Sequence, residues 1–242
     1  MRAIAHPVVA TADTMGRLGE SSGAACCRPH DLLWVTSRKA LISDAALPGW
    51  AISGRLAHAP VVVRRARPED PALVPIGLRG ETRSQRWRAY VHRDAVLRVV
   101  RPETLAASRA WQNRLTLQRF AAIAALHELA PRLDSTGLCW GPTGSTGFTL
   151  ATGLTVLHAG SDLDLVVRAP APLTPAQAAA LCAVLAGSPC RVDMQVDTGH
   201  GAFSFAEWAG GQGRVLLKTD TGPLLTGDPW QVGAPIASKP FP

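Results

Sequence analysis

The chain has 242 residues, enough for one large domain or two small ones with a core that needs no disulfide or metal to support it. It contains no run of about 18 apolar residues, so we expect no membrane-spanning helix and no membrane partner. The net charge of +7 comes almost entirely from arginine, because lysine occurs only at Lys39, Lys218 and Lys239. Arginine suits bidentate contacts with phosphate and favours an anionic partner, although the codon bias of a GC-rich genome explains the excess equally well.

The cysteines and the first residues indicate a cytoplasmic protein. There are five cysteines, an odd number, and no Cys-x-x-Cys pair, which argues against a disulfide framework and a thiolate zinc site. A reducing compartment fits this pattern best. Residues 1–27 are rich in Ala, Gly, Ser and Thr and lack the continuous apolar stretch of a secretory signal, so we expect a mostly disordered extension or a misassigned start.

Residues 28–101 are predicted to form a small β-rich domain that binds substrate or carrier protein. Residues 60–66 (PVVVRRA) contain three consecutive valines, which favour a strand. Residues 74–78 (VPIGL) and 87–91 (WRAYV) are further strand candidates, and residues 31–36 (DLLWVT) fit either a strand or a first helical turn.

Residues 102–242 are predicted to form the catalytic domain. Pro102 begins a predicted helix that continues to about residue 130, where Pro131 ends it. The apolar stripe of this helix consists of Trp111, Leu115, Ala122 and Leu126. A second helix is predicted to begin with Thr174 as its cap and Gln177 completing a capping box, and to end at Gly187. Strands are predicted over residues 163–167, 191–197 and 214–218, so the fold class is α+β.

A glycine-rich turn with hydroxyl side chains occupies residues 140–147 (WGPTGSTG). Glycine lets backbone N–H groups approach an anion closely, and a helix that follows such a turn can help to hold a phosphate. Gly144 and Ser145 are the candidates for this role. Loops of this composition are more often simple turns, so the segment alone is weak evidence.

Asp162 and Asp164 are two residues apart in a predicted strand and therefore project from the same face, while Leu163 and Leu165 enter the core. Two carboxylates held this close repel one another unless a cation lies near them, and paired aspartates are a scaffold for Mg²⁺ or Mn²⁺. Asp193, flanked by apolar residues in the next predicted strand, could supply a third carboxylate. The alternative is that Asp162 caps a turn and Asp164 is solvated at a sheet edge.

The order of a Gly-Ser turn, an Asp-x-Asp strand, a helix and a further Asp strand resembles the polymerase-beta-like nucleotidyltransferase superfamily. This resemblance implies a small mixed sheet with helices on one face. In that pattern the residues that hold the outgoing phosphates would be Gly144 and Ser145, and those that bind metal would be Asp162, Asp164 and Asp193. Asp197 competes with Asp193 for the third position. The interval between Ser145 and Asp162 is longer than the superfamily usually shows, so we expect an extra hairpin there.

Several short motifs spread along the chain resemble a narrower family. They are residues 28–34 (RPHDLLW), 61–65 (VVVRR), 75–80 (PIGLRG), 83–86 (RSQR), 161–165 (SDLDL) and 214–219 (RVLLKT). Together they resemble the malonate decarboxylase holo-acyl-carrier-protein synthases, also called phosphoribosyl-dephospho-CoA transferases. The resemblance covers nearly the whole chain apart from residues 1–27.

This resemblance implies an enzyme with a defined reaction. The donor would be 2′-(5″-triphosphoribosyl)-3′-dephospho-CoA, and the acceptor a serine on the acyl-carrier subunit of malonate decarboxylase. The serine oxygen would attack the phosphorus nearest the ribose, pyrophosphate would leave, and a phosphodiester-linked prosthetic group would remain. Metal on Asp162 and Asp164 would neutralise the triphosphate, and Asp193 would help to deprotonate the serine.

Further polar residues are candidates for substrate binding. Arg79, Arg83 and Arg86 could hold the phosphates of dephospho-CoA or an acidic carrier protein, or could lie on a solvated surface. Lys218 could reach a phosphate or form a structural ion pair. His30, in the first family-like motif, could line the site or cap local backbone.

Two other functions remain open. One is a generic metal-dependent nucleotidyltransferase that acts on a small molecule or protein. The other is a non-catalytic module that binds a carrier protein. The arginines are not interleaved with aromatic residues, which argues against nucleic acid as a partner.

Overall fold

The computed structural model describes residues 27–82, 84–211 and 213–231. The predicted extension over residues 1–27 lies outside the described residues except at Cys27, and Arg83 lies outside them as well. The described chain forms two six-stranded sheets, and the α+β fold class is confirmed. In this part of the chain no helix is both long enough and apolar enough to span a membrane.

The N-terminal sheet is antiparallel at every pairing described. Its strands are β1 (Leu32–Val35), β2 (Leu41–Ile42), β3 (Val61–Val63), β4 (Leu73–Arg79), β5 (Arg86–His92) and β6 (Val96–Val100), in the order β2-β5-β4-β3-β1-β6, and a short helix α1 (Gly49–Ile52) follows β2 along the chain. The strands predicted at residues 60–66, 74–78 and 87–91 are confirmed, and residues 31–36 contain a strand rather than a helical turn. Alternate side chains, among them Leu33, Val61 and Ile76, form an apolar core on one face of this sheet.

The opposite face of the N-terminal sheet contacts the C-terminal half of the chain. Leu32 and Val100 are buried in the same apolar cluster as Leu105 and Phe148. One row of strand partners crosses this face and consists of Val100, Leu32, Val62, Gly77 and Arg88. Because directly paired residues point to the same side of a sheet, the whole row faces the C-terminal half.

The C-terminal sheet is mixed, since β8 and β9 are parallel and the other described pairs are antiparallel. Its strands are β7 (Cys139–Pro142), β8 (Leu163–Arg168), β9 (Val192–Asp197), β10 (Gly201–Ser204), β11 (Val215–Thr219) and β12 (Pro223–Thr226), in the order β12-β11-β10-β9-β8-β7. The helices are α2 (Pro102–Ala107), α3 (Ala121–Ser135), α4 (Gly144–Thr152), α5 (Pro175–Ala186) and α6 (Phe205–Ala209). Helix α3 packs against β8 and α5, whereas α2 contacts β7 and α4.

The helix predicted from Pro102 to about residue 130 is wrong. Helix α2 ends at Ala107, and Arg109 follows with a φ of 50°, a left-handed conformation that few non-glycine residues adopt. The chain passes through a short 3-10 turn before α3 begins at Ala121. Leu115, which was expected on the apolar stripe, is 76% exposed as a result.

Two other local predictions are corrected by the structure. Pro131 does not end the helix but lies inside α3, where the packing of the fully buried Leu129 and Leu133 compensates for the backbone hydrogen bond that proline removes. The interval between Ser145 and Asp162 holds the rest of α4 and a loop rather than a hairpin.

The predicted cap of helix α5 is confirmed. The side chain of Thr174 accepts a hydrogen bond from the backbone N–H of Gln177, the Gln177 side chain returns to the Thr174 backbone, and Gly187 is the C-cap. This box satisfies N–H groups that have no partner within the helix.

Candidate active site

Three aspartates lie where β8 begins. Asp164 is in β8, Asp193 is its direct partner in the parallel strand β9, and Asp162 precedes Asp164 by two residues. Burial first, and then the charges of Asp193 and Asp162, raise the pKa of Asp164 to about 6. Strand β8 lies between β7 and β9, so Asp164 is not at a sheet edge. The aspartates therefore form a cluster of like charge that a cation would stabilise.

Asp162 is the more accessible member of the strand pair. Its side chain is 39% exposed, and Nε of the still more exposed Arg191 lies 4.0 Å from its Oδ2. An ion pair as exposed as this one contributes little to stability. Asp162 can therefore exchange this contact for a ligand that arrives from solvent.

The Gly-Ser turn, formed by Gly144 and Ser145, lies directly against Asp164 at the start of α4. The backbone N–H of Thr143 donates to the Asp164 carbonyl oxygen at 2.9 Å, and the backbone N–H of Ser145 donates to the Asp164 carboxylate and lowers its pKa. Gly144 has a φ of 57°, and a Cβ at this position would collide with the Asp164 carboxylate. The N-terminus of α4 and the aspartate cluster thus form one site.

Arg79 connects the N-terminal sheet to this turn. Its two terminal nitrogens donate to Ser145 Oγ at 3.3 and 3.4 Å, and its guanidinium lies 5.5 Å from the ring centre of Phe148. Arg86 is the strand partner of Arg79 in β5. The structure therefore brings Arg79 to the predicted phosphate-binding turn and places Arg86 one strand further away.

A cavity of about 480 Å³ lies between the two halves beside the Gly-Ser turn. One wall is the strand row that includes Val62, Gly77 and Arg88, and the opposite wall includes Gly144 and Phe148. The arginines that line the cavity are Arg64, Arg79, Arg86 and Arg88. The cavity thus combines apolar walls with positive charge.

His30 also lines this cavity. Burial, followed by the charges of Arg168 and Arg65, lowers the pKa of His30 to about 4. Its imidazole is therefore neutral near pH 7 and can accept as well as donate a hydrogen bond. Of the two alternatives for His30, this position agrees with the one in which it lines the site.

A row of buried ion pairs lies on the aspartate-bearing face of the C-terminal sheet, four residues further along β8. Arg168 donates at 2.7 Å to both Glu103 and Asp197 and at 2.9 Å to the carbonyl oxygen of Pro29. Arg65 donates to the same oxygen of Asp197 at 2.7 Å. Since Pro29 and Arg65 belong to the N-terminal half, this ion-pair row fastens the two halves together beside the cavity.

The register and order of the strands show where two other predicted residues lie. Asp197 is the strand partner of Arg168 rather than of Asp164, so Asp193 is the aspartate beside the Asp162 and Asp164 pair. Lys218 is exposed on β11, three strands away from β8, and is not brought to the aspartates.

The donor atoms of the cluster suit a divalent metal in kind, because Mg²⁺ and Mn²⁺ prefer carboxylate oxygens. No three Asp, Glu, His or Cys side chains of the described residues, however, are grouped so that they could hold a metal ion together. Mg²⁺ usually binds one or two carboxylates and completes its shell with water and substrate phosphates. Metal binding by Asp162, Asp164 and Asp193 remains a prediction on these grounds.

Comparison with known proteins identifies the family. The N-terminal domain of phosphoribosyl-dephospho-CoA transferase MdcG matches residues 28–102, and the C-terminal domain of the same transferase matches residues 104–229. The chain belongs to the phosphoribosyl-dephospho-CoA transferase family. The narrower family resemblance in the sequence is thereby confirmed.

Individual members of this family are similar over most of their length. The chain is 46% identical to the phosphoribosyl-dephospho-CoA transferase of Pseudomonas putida (strain GB-1) over 203 residues, which are 84% of this chain and 95% of the relative. It is 45% identical to that of Azotobacter vinelandii over 208 residues, 84% of this chain and 94% of the relative. The transferase of Pseudomonas aeruginosa is 43% identical over 204 residues, 84% of this chain and 94% of the relative.

No solved structure matches the chain. Membership of the polymerase-beta-like superfamily therefore remains a prediction from the order of its motifs.

Two residues at this candidate site of the transferase, Arg168 and Gly77, were not singled out in the sequence. Arg168 lies on the same strand face as Asp164, so the two-residue alternation of β8 was a signal for it. Gly77 gave only the signal of a glycine inside a predicted strand, which often marks a close approach or an open space.

Proposed function

We propose that this transferase moves the phosphoribosyl-dephospho-CoA group from 2′-(5″-triphosphoribosyl)-3′-dephospho-CoA to a serine of the apo acyl-carrier subunit of malonate decarboxylase, with release of pyrophosphate. The observation that carries the proposal is the contact between the Gly-Ser turn and Asp164 in a chain of this family. A helix N-terminus, clustered carboxylates and an arginine within one site are the parts that transfer from a triphosphate requires.

In the proposed complex the leaving pyrophosphate lies at the N-terminus of α4. The positive end of the helix dipole favours a negative ligand there. Arg79, which already contacts Ser145 Oγ, adds a positive charge from the N-terminal sheet. A divalent ion held by Asp162 and Asp164 would neutralise the triphosphate and polarise its P–O bonds.

The carrier serine attacks the phosphorus nearest the ribose. A P–O bond to the serine forms, the P–O bond to pyrophosphate breaks, and the serine proton has to leave. Asp193 is exposed and is the strand partner of Asp164, which supports a role for it as the acceptor of this proton. The product is a phosphodiester that links the prosthetic group to the carrier.

The reaction itself is the first test. When the protein is incubated with Mg²⁺, the triphosphoribosyl donor and the apo carrier, mass spectrometry of the carrier is expected to show the added mass of phosphoribosyl-dephospho-CoA. Asp162→Asn is expected to slow this labelling by on the order of 100-fold, because it removes one anionic ligand from the cluster. Labelling of the carrier from ATP instead of this donor would favour a generic nucleotidyltransferase. Carrier binding without any gain in mass would favour a binding module and contradict the proposal.

Gly144→Ala is expected to slow carrier labelling by on the order of 100-fold, since the new Cβ collides with the Asp164 carboxylate and must displace it or the start of α4. Gly153→Ala is the matched control. Gly153 also has a positive φ, 75°, at the other end of α4, but the nearest atom to its Cβ would be 3.7 Å away in Arg114. Each variant should lose about 1 kcal/mol of stability from backbone strain, Gly144→Ala should lose more because of the collision, and only Gly144→Ala should lose activity. Equal labelling rates in the two variants would show that the reaction does not depend on a glycine at position 144.

A further inference from the structure

The cavity beside the Gly-Ser turn owes part of its volume to one glycine. Gly77 lies in the middle of the strand row that forms one wall, between Val62 and Arg88. A Cβ on Gly77 would meet only the Trp87 carbonyl oxygen at 3.8 Å, an ordinary contact. Strand interiors favour residues with side chains, and the backbone conformation here does not require a glycine. The effect of Gly77 is therefore to leave space above the sheet.

The charged side chains that line the cavity are arginines. Arg88 is exposed in the same row as Gly77, and Arg79 reaches from the end of β4 to the Gly-Ser turn. Arg64 also lines the cavity, and its guanidinium lies 5.5 Å from the ring centre of Tyr90. Guanidinium groups above an apolar floor suit a flat ring system that carries phosphates.

We propose that this cavity binds the adenosine and diphosphate of the donor, which is its ADP portion, and leaves the pantetheine outside. The inference deepens the proposed function and rests on it for the identity of the donor. The volume of about 480 Å³ lies within the roughly 300–1,000 Å³ of small-molecule sites. Leu32, Val62 and Phe148 face the purine, and Arg88 and Arg64 contact the diphosphate.

The connectivity of the donor sets this orientation. Its triphosphoribosyl arm is attached to the 2′-oxygen of the adenosine, so the adenosine has to lie within one ribose of the phosphates. Those phosphates are assigned to Gly144 and Ser145, and Gly144 together with Thr143 lines the cavity itself. The pantetheine lies at the far end of the diphosphate, is uncharged and would make no use of the arginines.

Isothermal titration of the full chain with ADP, dephospho-CoA and pantetheine tests the inference. ADP and dephospho-CoA are expected to bind with similar affinity, and pantetheine is expected not to bind. Gly77→Val, which fits the strand but fills the cavity, should weaken both nucleotides by about tenfold or more. Arg88→Gln should weaken ADP by about tenfold, because it removes a charge-assisted hydrogen bond to phosphate.

Two further variants separate this inference from the proposed function. Arg98→Gln, a change of the same kind on β6 outside the cavity, should bind ADP like the unmodified protein. Asp164→Asn should also retain ADP binding although it loses transfer. Pantetheine binding without ADP binding would overturn the inference, and so would unchanged ADP affinity in both Gly77→Val and Arg88→Gln. Carrier labelling by a protein that does not bind ADP would overturn it while leaving the proposed reaction in place.

Discussion

An Asp164→Asn variant is expected to label the carrier on the order of 1,000-fold more slowly and yet to be more stable than the unmodified protein at neutral pH. The expected loss of activity rests on the proposed metal site, because an amide would be a poor ligand for a divalent ion and would leave the triphosphate charge uncompensated. Stability rises because Asp164 is partly buried beside two other aspartates, an arrangement that disfavours its charged form. Asparagine keeps the shape and can still accept the Ser145 N–H through its Oδ1. Urea unfolding in EDTA measures the stability, and carrier mass measures the activity.

The gain in stability should depend on pH in a defined direction. Burial and then the charges of Asp193 and Asp162 raise the pKa of Asp164 from 3.8 to about 6 on folding. A carboxyl group of this kind contributes stability that is fully present below pH 3.8 and is lost as the pH rises through about 6. The two proteins should therefore have similar free energies of unfolding near pH 3. Above pH 7 the variant should be more stable by about 1–3 kcal/mol.

Asp44→Asn provides the matched control, since the same chemical change there falls on an exposed carboxylate away from the aspartate cluster. It should alter neither the free energy of unfolding nor carrier labelling. A loss of stability in Asp164→Asn at pH 8 would show that the charge of Asp164, buried beside Asp162 and Asp193, does not destabilise the folded protein. If Asp164→Asn labelled the carrier at the rate of the unmodified protein, the Asp164 carboxylate would have no role in the reaction.

The sequence predicted the structure correctly where a short repeat of side-chain types, such as the two-residue alternation of a strand, decided it. Alternation along β8 placed Asp162 and Asp164 on one face, and alternation along β9 placed Asp193 on the corresponding face of its strand. Turn and cap chemistry is local in the same way, and the capping box at Thr174 formed as predicted. Short family-like segments then indicated the family, since such segments do not depend on how distant elements pair.

What the sequence could not supply was pairing between distant segments. The row from Val100 to Arg88 joins residues from five strands, and only the register of the folded sheet makes it a cavity wall. Register also decides that Asp197 meets Arg168 and that Asp193 meets Asp164. The break after α2 was missed for a related reason. The apolar period continued across Arg109, whose left-handed conformation is set by tertiary packing rather than by its own propensity.

The aspartates, the Gly-Ser turn and the cavity draw on both halves of the chain, so their geometry depends on how the halves are held together. Arg79 crosses from the N-terminal sheet to Ser145, and the ion-pair row crosses at Arg168 and Arg65. Apolar contact between the halves is not directional, whereas hydrogen-bonded ion pairs fix position. The ion-pair row is therefore expected to set the spacing of the cavity walls.

Arg168→Met is expected to lower the free energy of unfolding at pH 7 by about 2–3 kcal/mol, because it removes the partner that Glu103 and Asp197 share and leaves each with one arginine. Burial alone would raise the pKa of Glu103, but its hydrogen bond with Arg168 lowers the value overall. Burial would likewise raise the pKa of Asp197, and Arg65 with Arg168 lowers it. Carboxyl groups with lowered pKa stabilise the fold above the ordinary carboxyl range and lose that effect as the pH falls. The difference between variant and unmodified protein should thus be largest at neutral pH and shrink below about pH 4.

Two substitutions show whether this loss comes from the buried geometry of Arg168 rather than from charge alone. Arg168→Lys keeps the charge but cannot reach Glu103, Asp197 and the Pro29 carbonyl together, so it should recover less than half of the lost stability. Arg67→Met removes an arginine that is 69% exposed and paired with Asp220, and it should cost less than about 1 kcal/mol. If Arg168→Lys recovered all of the lost stability, the positive charge alone would account for the effect of Arg168, and its several hydrogen bonds would add nothing. Equal losses of stability in Arg168→Met and Arg67→Met would mean that burial does not strengthen the ion-pair row. The two halves would then be held together by their apolar contacts.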